Sequence, residues 1–160
     1  MLIPVDKMAR LNNDHALTYM YGKKSEFTIE NTETKNKFLY RIVECKDRDD
    51  LFFVRCKRIK GKVEKTNNDH MVYAGYITKT NNGYKFYKGT NGCLSKDSMA
   101  IQALMYTSKH LQMKNLNERV VIKHTGRCAF CGRLLTDEKS IERGYGAYCY
   151  EHYVKNRRWY

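Results

Sequence analysis

The chain has 160 residues, 42% of them hydrophobic, and its 30 Lys+Arg against 17 Asp+Glu give a formal net charge of +13 and a pI near 9.5. That length holds one ordinary domain plus a small appendage, with a core large enough to do without disulfides. The charge excludes an acidic imitation of DNA, and no apolar run approaches the ~20 residues that a membrane span requires.

The opening Met1-Leu-Ile-Pro-Val5 breaks off at Asp6-Lys7, too soon for a signal peptide, so a soluble cytoplasmic protein is expected. Asp14–Tyr21 reads as a helical turn or as a strand before Gly22. From Glu26 the apolar positions alternate: Phe27 and Ile29, then Phe38, Tyr40 and Ile42, then Phe52, Val54 and Cys56, then Val72, Ala74 and Tyr76, then Tyr84 and Phe86. Period two marks strands with one buried face. Polar connectors, including the hairpin signal Asn81-Asn82-Gly83, join them in sequence, so an antiparallel meander of about five strands is expected.

After Gly92 the period becomes helical, with Ile101, Leu104, Met105, Ser108 and Leu111 on one face and Ser95 placed to cap the start. A helix of about sixteen residues would lay that stripe on the sheet. Lys114–Lys123 reads as a connector holding a short strand, Val120–Ile122. The expected class is α+β, with an α+β domain over 1–116 and a zinc-binding module over 117–160.

The last forty residues carry the most specific spelling. Cys128-Ala-Phe-Cys131 is followed, after seventeen residues that begin with Gly132-Arg133, by Cys149-Tyr-Glu-His152. Each x-x spacing turns two side chains toward one point, so three thiolates and one imidazole can surround a Zn²⁺ ion. Four protein ligands leave no position open for water, which makes the expected site structural. Gly132 suits the knuckle after the first pair, and His124, four residues before Cys128, is the rival fourth ligand. A Cys128–Cys131 disulfide is the weaker reading, because no strand–helix thioredoxin pattern surrounds the pair. Cys45, Cys56 and Cys93 lack ligand spacing and read as free thiols, which fits a reducing compartment.

Cys128-Ala-Phe-Cys131-Gly-Arg133-Leu-Leu135-Thr136-Asp137-Glu-Lys-Ser140-Ile141-Glu-Arg-Gly144-Tyr-Gly146-Ala-Tyr-Cys149 resembles the small zinc-finger modules of many bacteriophage proteins of unassigned function, whose pattern is C-x-x-C-G-R-x-L-T-D-x-x-S-I-x-x-G-x-G-x-x-C. Many members have Pro before the third Cys, where this chain has Ala147-Tyr148. The stretches Phe27-Thr-Ile-Glu-Asn, Phe38-Leu-Tyr-Arg-Ile and Tyr73-Ala-Gly75-Tyr are more loosely similar to the region preceding the module in phage proteins. The resemblance implies a viral or prophage origin, hence a host bacterial cytoplasm, and a treble-clef-like or knuckle fold. It implies no activity.

Charge sets the expected partner. Arg55, Lys57, Arg58, Lys60, Lys62 and Lys65 form one stripe; Lys155, Arg157 and Arg158 sit beside Trp159 and Tyr160; Arg127, Arg133 and Arg143 flank the ligands. Cations interleaved with aromatic rings suit a phosphate backbone and stacked bases, so DNA or RNA is the expected partner. The alternative is a host protein or nucleoprotein complex, seized by an inhibitor of a CRISPR effector, a restriction nuclease or RNA polymerase. No P-loop, nucleophile elbow, H-x-E deaminase signature or acidic Mg²⁺ cluster occurs, and His15, His110 and Asp69-His70 read as surface or packed residues, so no enzyme is expected.

Overall fold

The computed structural model describes residues 7–60 and 71–155. Its chain opens with a short strand β1 (Ala9–Arg10) and a helix α1 (Asn13–Met20). The five alternating stretches follow as strands β2 (Lys24–Asn31), β3 (Lys37–Cys45), β4 (Arg48–Arg58), β5 (Val72–Thr80) and β6 (Gly83–Tyr87). Next come α2 (Met99–Gln112), β7 (Val120–His124), α3 (Glu138–Arg143) and α4 (Ala147–Cys149), which runs on as a π-helical turn over Tyr150–Val154.

All strands join one antiparallel sheet in the order β1-β7-β2-β3-β4-β5-β6. The expected meander is its β2–β6 part. The sheet has seven strands rather than five because β7 pairs with β2 from Phe27↔His124 to Asn31↔Val120 and carries β1 on its other side. Residues 120–124, expected to lead away into the zinc segment, therefore lie inside the sheet. Val120, Ile122 and His124 are buried in alternation with half-buried Val121 and Lys123, a pattern of only five residues.

Local chemistry settles what the sequence left open. α1 is a helix because Asn12 caps it: the Asp14 N–H donates to Asn12 Oδ1 at 2.8 Å. α2 starts three residues later than Ser95 would place it. Ser98 is its N-cap residue, while Ser95 builds the preceding turn, accepting at Oγ from the Asp97 N–H and at its carbonyl from the Ser98 N–H.

β5 breaks the alternation expected of Val72, Ala74 and Tyr76. A bulge places Val54 opposite Gly75 and Arg55 opposite Tyr73, leaving Ala74 unpaired. Ala74 and Ile77 consequently face inward, and Tyr76 turns to the other side, opposite Phe53.

One face of the sheet carries the main core. Phe27, Tyr40, Val54 and Ile77 meet Ala16, Tyr19 and Met20 of α1 and Ile101, Leu104 and Leu111 of α2. The same continuous cluster takes in Cys128, Ala129, Phe130, Tyr145, Cys149 and Val154. Each fully buried aliphatic or aromatic side chain contributes about 1.5–3 kcal/mol, so the C-terminal segment gains its apolar stabilisation by sharing the sheet's core. The reverse face has a small cover of Met8, Leu39, Ile59 and Met71 at one end.

Candidate metal centre

The C-terminal segment is built from backbone turns. Gly132, in the left-handed region at φ 76°, lets its N–H close on the Cys128 carbonyl at 3.0 Å. The Cys128 N–H donates to the Arg133 carbonyl at 2.9 Å and the Leu135 N–H to the Gly126 carbonyl at 2.8 Å, making a minimal hairpin. The Asp137 carboxylate then accepts from the Ser140 N–H at 3.1 Å and starts α3, so Thr136-Asp137 is a helix cap. The Ser140 hydroxyl and then its N–H hold the Asp137 carboxyl below the usual carboxylate range. Gly144 ends α3 with φ 84°, and α4 delivers Cys149.

The knuckle is bolted to the sheet through Ala129, whose carbonyl accepts from the N–H groups of Lys23 (3.0 Å) and Lys24 (2.8 Å) and whose N–H donates to the Gly144 carbonyl (3.0 Å). Gly22 keeps this approach close, because a Cβ there would stand 3.0 Å from the Ala129 side chain and carbonyl oxygen.

The ligand atoms of Cys128, Cys131 and Cys149 lie within 4.8 Å of one another. Sulfurs placed tetrahedrally 2.3 Å from a zinc ion stand about 3.8 Å apart, so the trio fits such an ion with a small contraction. Burial raises the Cys128 thiol, but the backbone N–H groups of Cys131, Gly146 and Phe130 turned toward its sulfur outweigh that and hold it below the ordinary thiol value. Cys149 moves the other way, pushed up to about 12 by burial and by the neighbouring Cys128 and Cys131 sulfurs. Three clustered thiols thus resist full ionisation by themselves, and a bound divalent cation would replace their protons.

Neither expected histidine joins them. His152 is exposed; its ring stacks on Tyr148 at 3.9 Å and its Nδ1 lies 2.9 Å from the Tyr148 carbonyl. His124 is buried and engaged at both nitrogens, since Nδ1 accepts from the Gly126 N–H at 3.0 Å and Nε2 therefore carries the proton toward the Ile141 carbonyl at 2.6 Å. Its job is to fasten α3 to β7. Cys45, Cys56 and Cys93 lie outside the cluster, and burial pushes the Cys56 thiol up to about 12. His15 and His110 pack locally, with Nδ1 atoms 2.8 Å from the Tyr145 hydroxyl and 2.7 Å from the Asn115 side-chain oxygen.

The cationic candidates scatter. Arg55 and Lys57 lie on the reverse face of β4, Arg58 faces the other way and donates to Asn36, and Lys60 is exposed beyond the strand. Arg133 is exposed, whereas Arg127 donates to the Gly132 carbonyl at 3.1 Å and the Arg143 guanidinium lies 5.4 and 5.6 Å from the ring centroids of Tyr145 and Tyr150. Lys62, Lys65, Asp69, His70, Arg157, Arg158, Trp159 and Tyr160 fall outside the described residues. The sequence reading missed the aromatic residues Tyr73, Tyr76 and Tyr87 on the reverse face. Gly75, a glycine inside a strand, was the available signal of the bulge that turns Tyr76 there.

No helix among the described residues is long and apolar enough to cross a membrane. Residues 119–154, less than a quarter of the chain, match a family of unknown function (DUF6011). No curated protein and no solved structure matches the chain.

Proposed function

We propose that this chain is a non-catalytic nucleic-acid-binding protein whose C-terminal knuckle is held by a structural Zn²⁺ ion. The observation that carries the reading is the net charge of +13, which attracts polyanions over the whole molecule. The donor set supports the metal: three converging sulfurs, with amides turned to that of Cys128, are what zinc takes in a treble-clef-like site. His152, three residues after Cys149, is the proposed fourth ligand, its ring leaving the Tyr148 carbonyl and turning to the sulfurs when the ion binds; bound zinc would supply cross-linking between knuckle and helix.

A cleft of about 390 Å³ between α2 and the ends of β2 and β3 is lined by amides, hydroxyls, Arg119 and apolar groups, without a carboxylate, imidazole or thiol. A larger one of about 760 Å³ between α1 and the end of α2 holds Asp14 and His110, and the His110 Nδ1 is taken up by the Asn115 side chain 2.7 Å away. The resemblance of residues 128–149 to phage modules supports a phage or prophage protein acting in the host cytoplasm.

Titrating the zinc-loaded protein into labelled DNA and RNA at rising salt tests the reading. Affinity should fall steeply, with a slope of log K on log salt of about −3 or beyond, as four or more phosphates are engaged. Failure to bind any nucleic acid at low salt, together with capture of a host nuclease or polymerase, would replace it with the inhibitor.

A further inference from the structure

The reverse face of the sheet carries a cross-strand row that neither helix nor knuckle covers. Pairing places Val43 opposite Phe53, Phe53 opposite Tyr76 and Tyr76 opposite Tyr87, one residue from each of β3, β4, β5 and β6. Val43, Phe53 and Tyr87 are 42%, 39% and 38% exposed, and Tyr76 and Tyr87 stack with centroids 5.4 Å apart. Tyr76 is half-buried among them; leaving Phe53 and Tyr87 this open forfeits burial that would stabilise them inside, so the patch marks a contact surface.

The adjacent row runs Glu26, Arg41, Arg55, Tyr73. Glu26, its acid, is ion-paired with Arg41, and Arg55 lies over the Tyr73 ring at 5.7 Å. Lys85 lies over Tyr87 at 5.3 Å, and Lys57 extends the cationic side of β4. Between the two rows lies a groove of about 530 Å³ lined by Arg41, Val43, Phe53, Arg55, Tyr73 and Asn91.

Resting on the nucleic-acid reading, we infer that this face binds single-stranded nucleic acid, with bases stacking on Phe53, Tyr76 and Tyr87 and the backbone following Arg55, Lys57 and Lys85. Charge complementarity selects a polyanion, and exposed rings beside the cations select one whose bases are unpaired, because a duplex hides its base faces. Four strands spaced about 4.8 Å apart span about 14 Å, room for two or three splayed bases. Strand geometry, through the bulge at Ala74, is what brings Tyr76 into line with its neighbours.

The test uses the zinc-loaded full chain and one mixed 15-nucleotide sequence prepared as single-stranded DNA, as single-stranded RNA and as duplex DNA, followed by fluorescence anisotropy. A single strand should bind at least tenfold more tightly than the duplex, and the DNA and RNA arms identify which sugar is preferred. Phe53→Ala and Tyr76→Ala should each weaken single-strand binding about tenfold, while Lys109→Ala, exposed on α2 on the covered side of the sheet, changes it less than twofold. Phe53→Trp in a Trp159→Phe background keeps an aromatic ring on the face and leaves it the sole indole, whose emission should be quenched when a base stacks on it.

Duplex preferred over single strand, or unquenched indole emission from the Phe53→Trp variant with undiminished affinity in both alanine variants, overturns this face as the site while leaving the broader reading standing. Absence of binding to all three probes at low salt overturns both.

Discussion

Two glycines that look alike in the sequence have different physical roles. Gly144 adopts φ 84°, and a Cβ there would come within 2.2 Å of the Tyr19 ring, whereas one at Gly146 would meet only Leu135 at 4.0 Å. Gly144→Ala should cost about 2–4 kcal/mol, the sum of left-handed strain and a displaced ring, and lower the melting temperature by about 5–15 °C. Gly146→Ala should stay within about 1 kcal/mol; equal losses in thermal denaturation would show that the distinction fails. His124 supplies a second test at this scale. Burial lowers its pKa from 6.5, so the unfolded chain accepts a proton that the folded chain resists. Its contribution to stability is then intact above pH 6.5 and lost as pH falls below it. Imidazole NMR of the zinc-saturated protein should show an Nε2–H tautomer at neutral pH and a midpoint under 6.5; a midpoint at or above that value contradicts the buried, doubly bonded ring.

At the scale of elements, the metal segment and the sheet are one packing unit. Ala129 bonds to Lys23 and Lys24, and Phe130 and Tyr145 belong to the cluster that holds Tyr19 and Phe27. Removing zinc, by chelation or through Cys149→Ser, should therefore lower one cooperative melting transition instead of melting residues after Asn117 alone. Free zinc a thousandfold above its dissociation constant contributes about 4 kcal/mol, which corresponds to about 10 °C here. A separate low-temperature transition above an unshifted main one would mean that the segment folds independently. The meander and α2 were legible because long amphipathic stretches report their own burial period, and the three cysteines because ligand spacing is a local property. β7 was legible as a strand but not as a member of the sheet, since pairing with β2 across some ninety residues leaves no local trace. The side of Tyr76 was hidden by a bulge that shifts the alternation by one, and the environment of His152 by a π-helical turn that spacing rules for regular helices do not anticipate.

Considered as a whole, the molecule has two unlike faces. One side of the sheet is occupied by α1, α2 and the knuckle and supplies stability; the other keeps its aromatic row exposed. Substitutions on the exposed face can accordingly be read through binding with little confusion from unfolding, while those on the covered face cannot. The trio of sulfurs is not uniformly enclosed either: Cys128 and Cys149 are buried, and Cys131 opens to solvent. On the metal reading proposed above, this asymmetry would make Cys131 the doorway: an ion would arrive through it after the chain has collapsed, and a chelator or oxidant would attack the same sulfur before it met the other two, so maturation and damage would share one entrance.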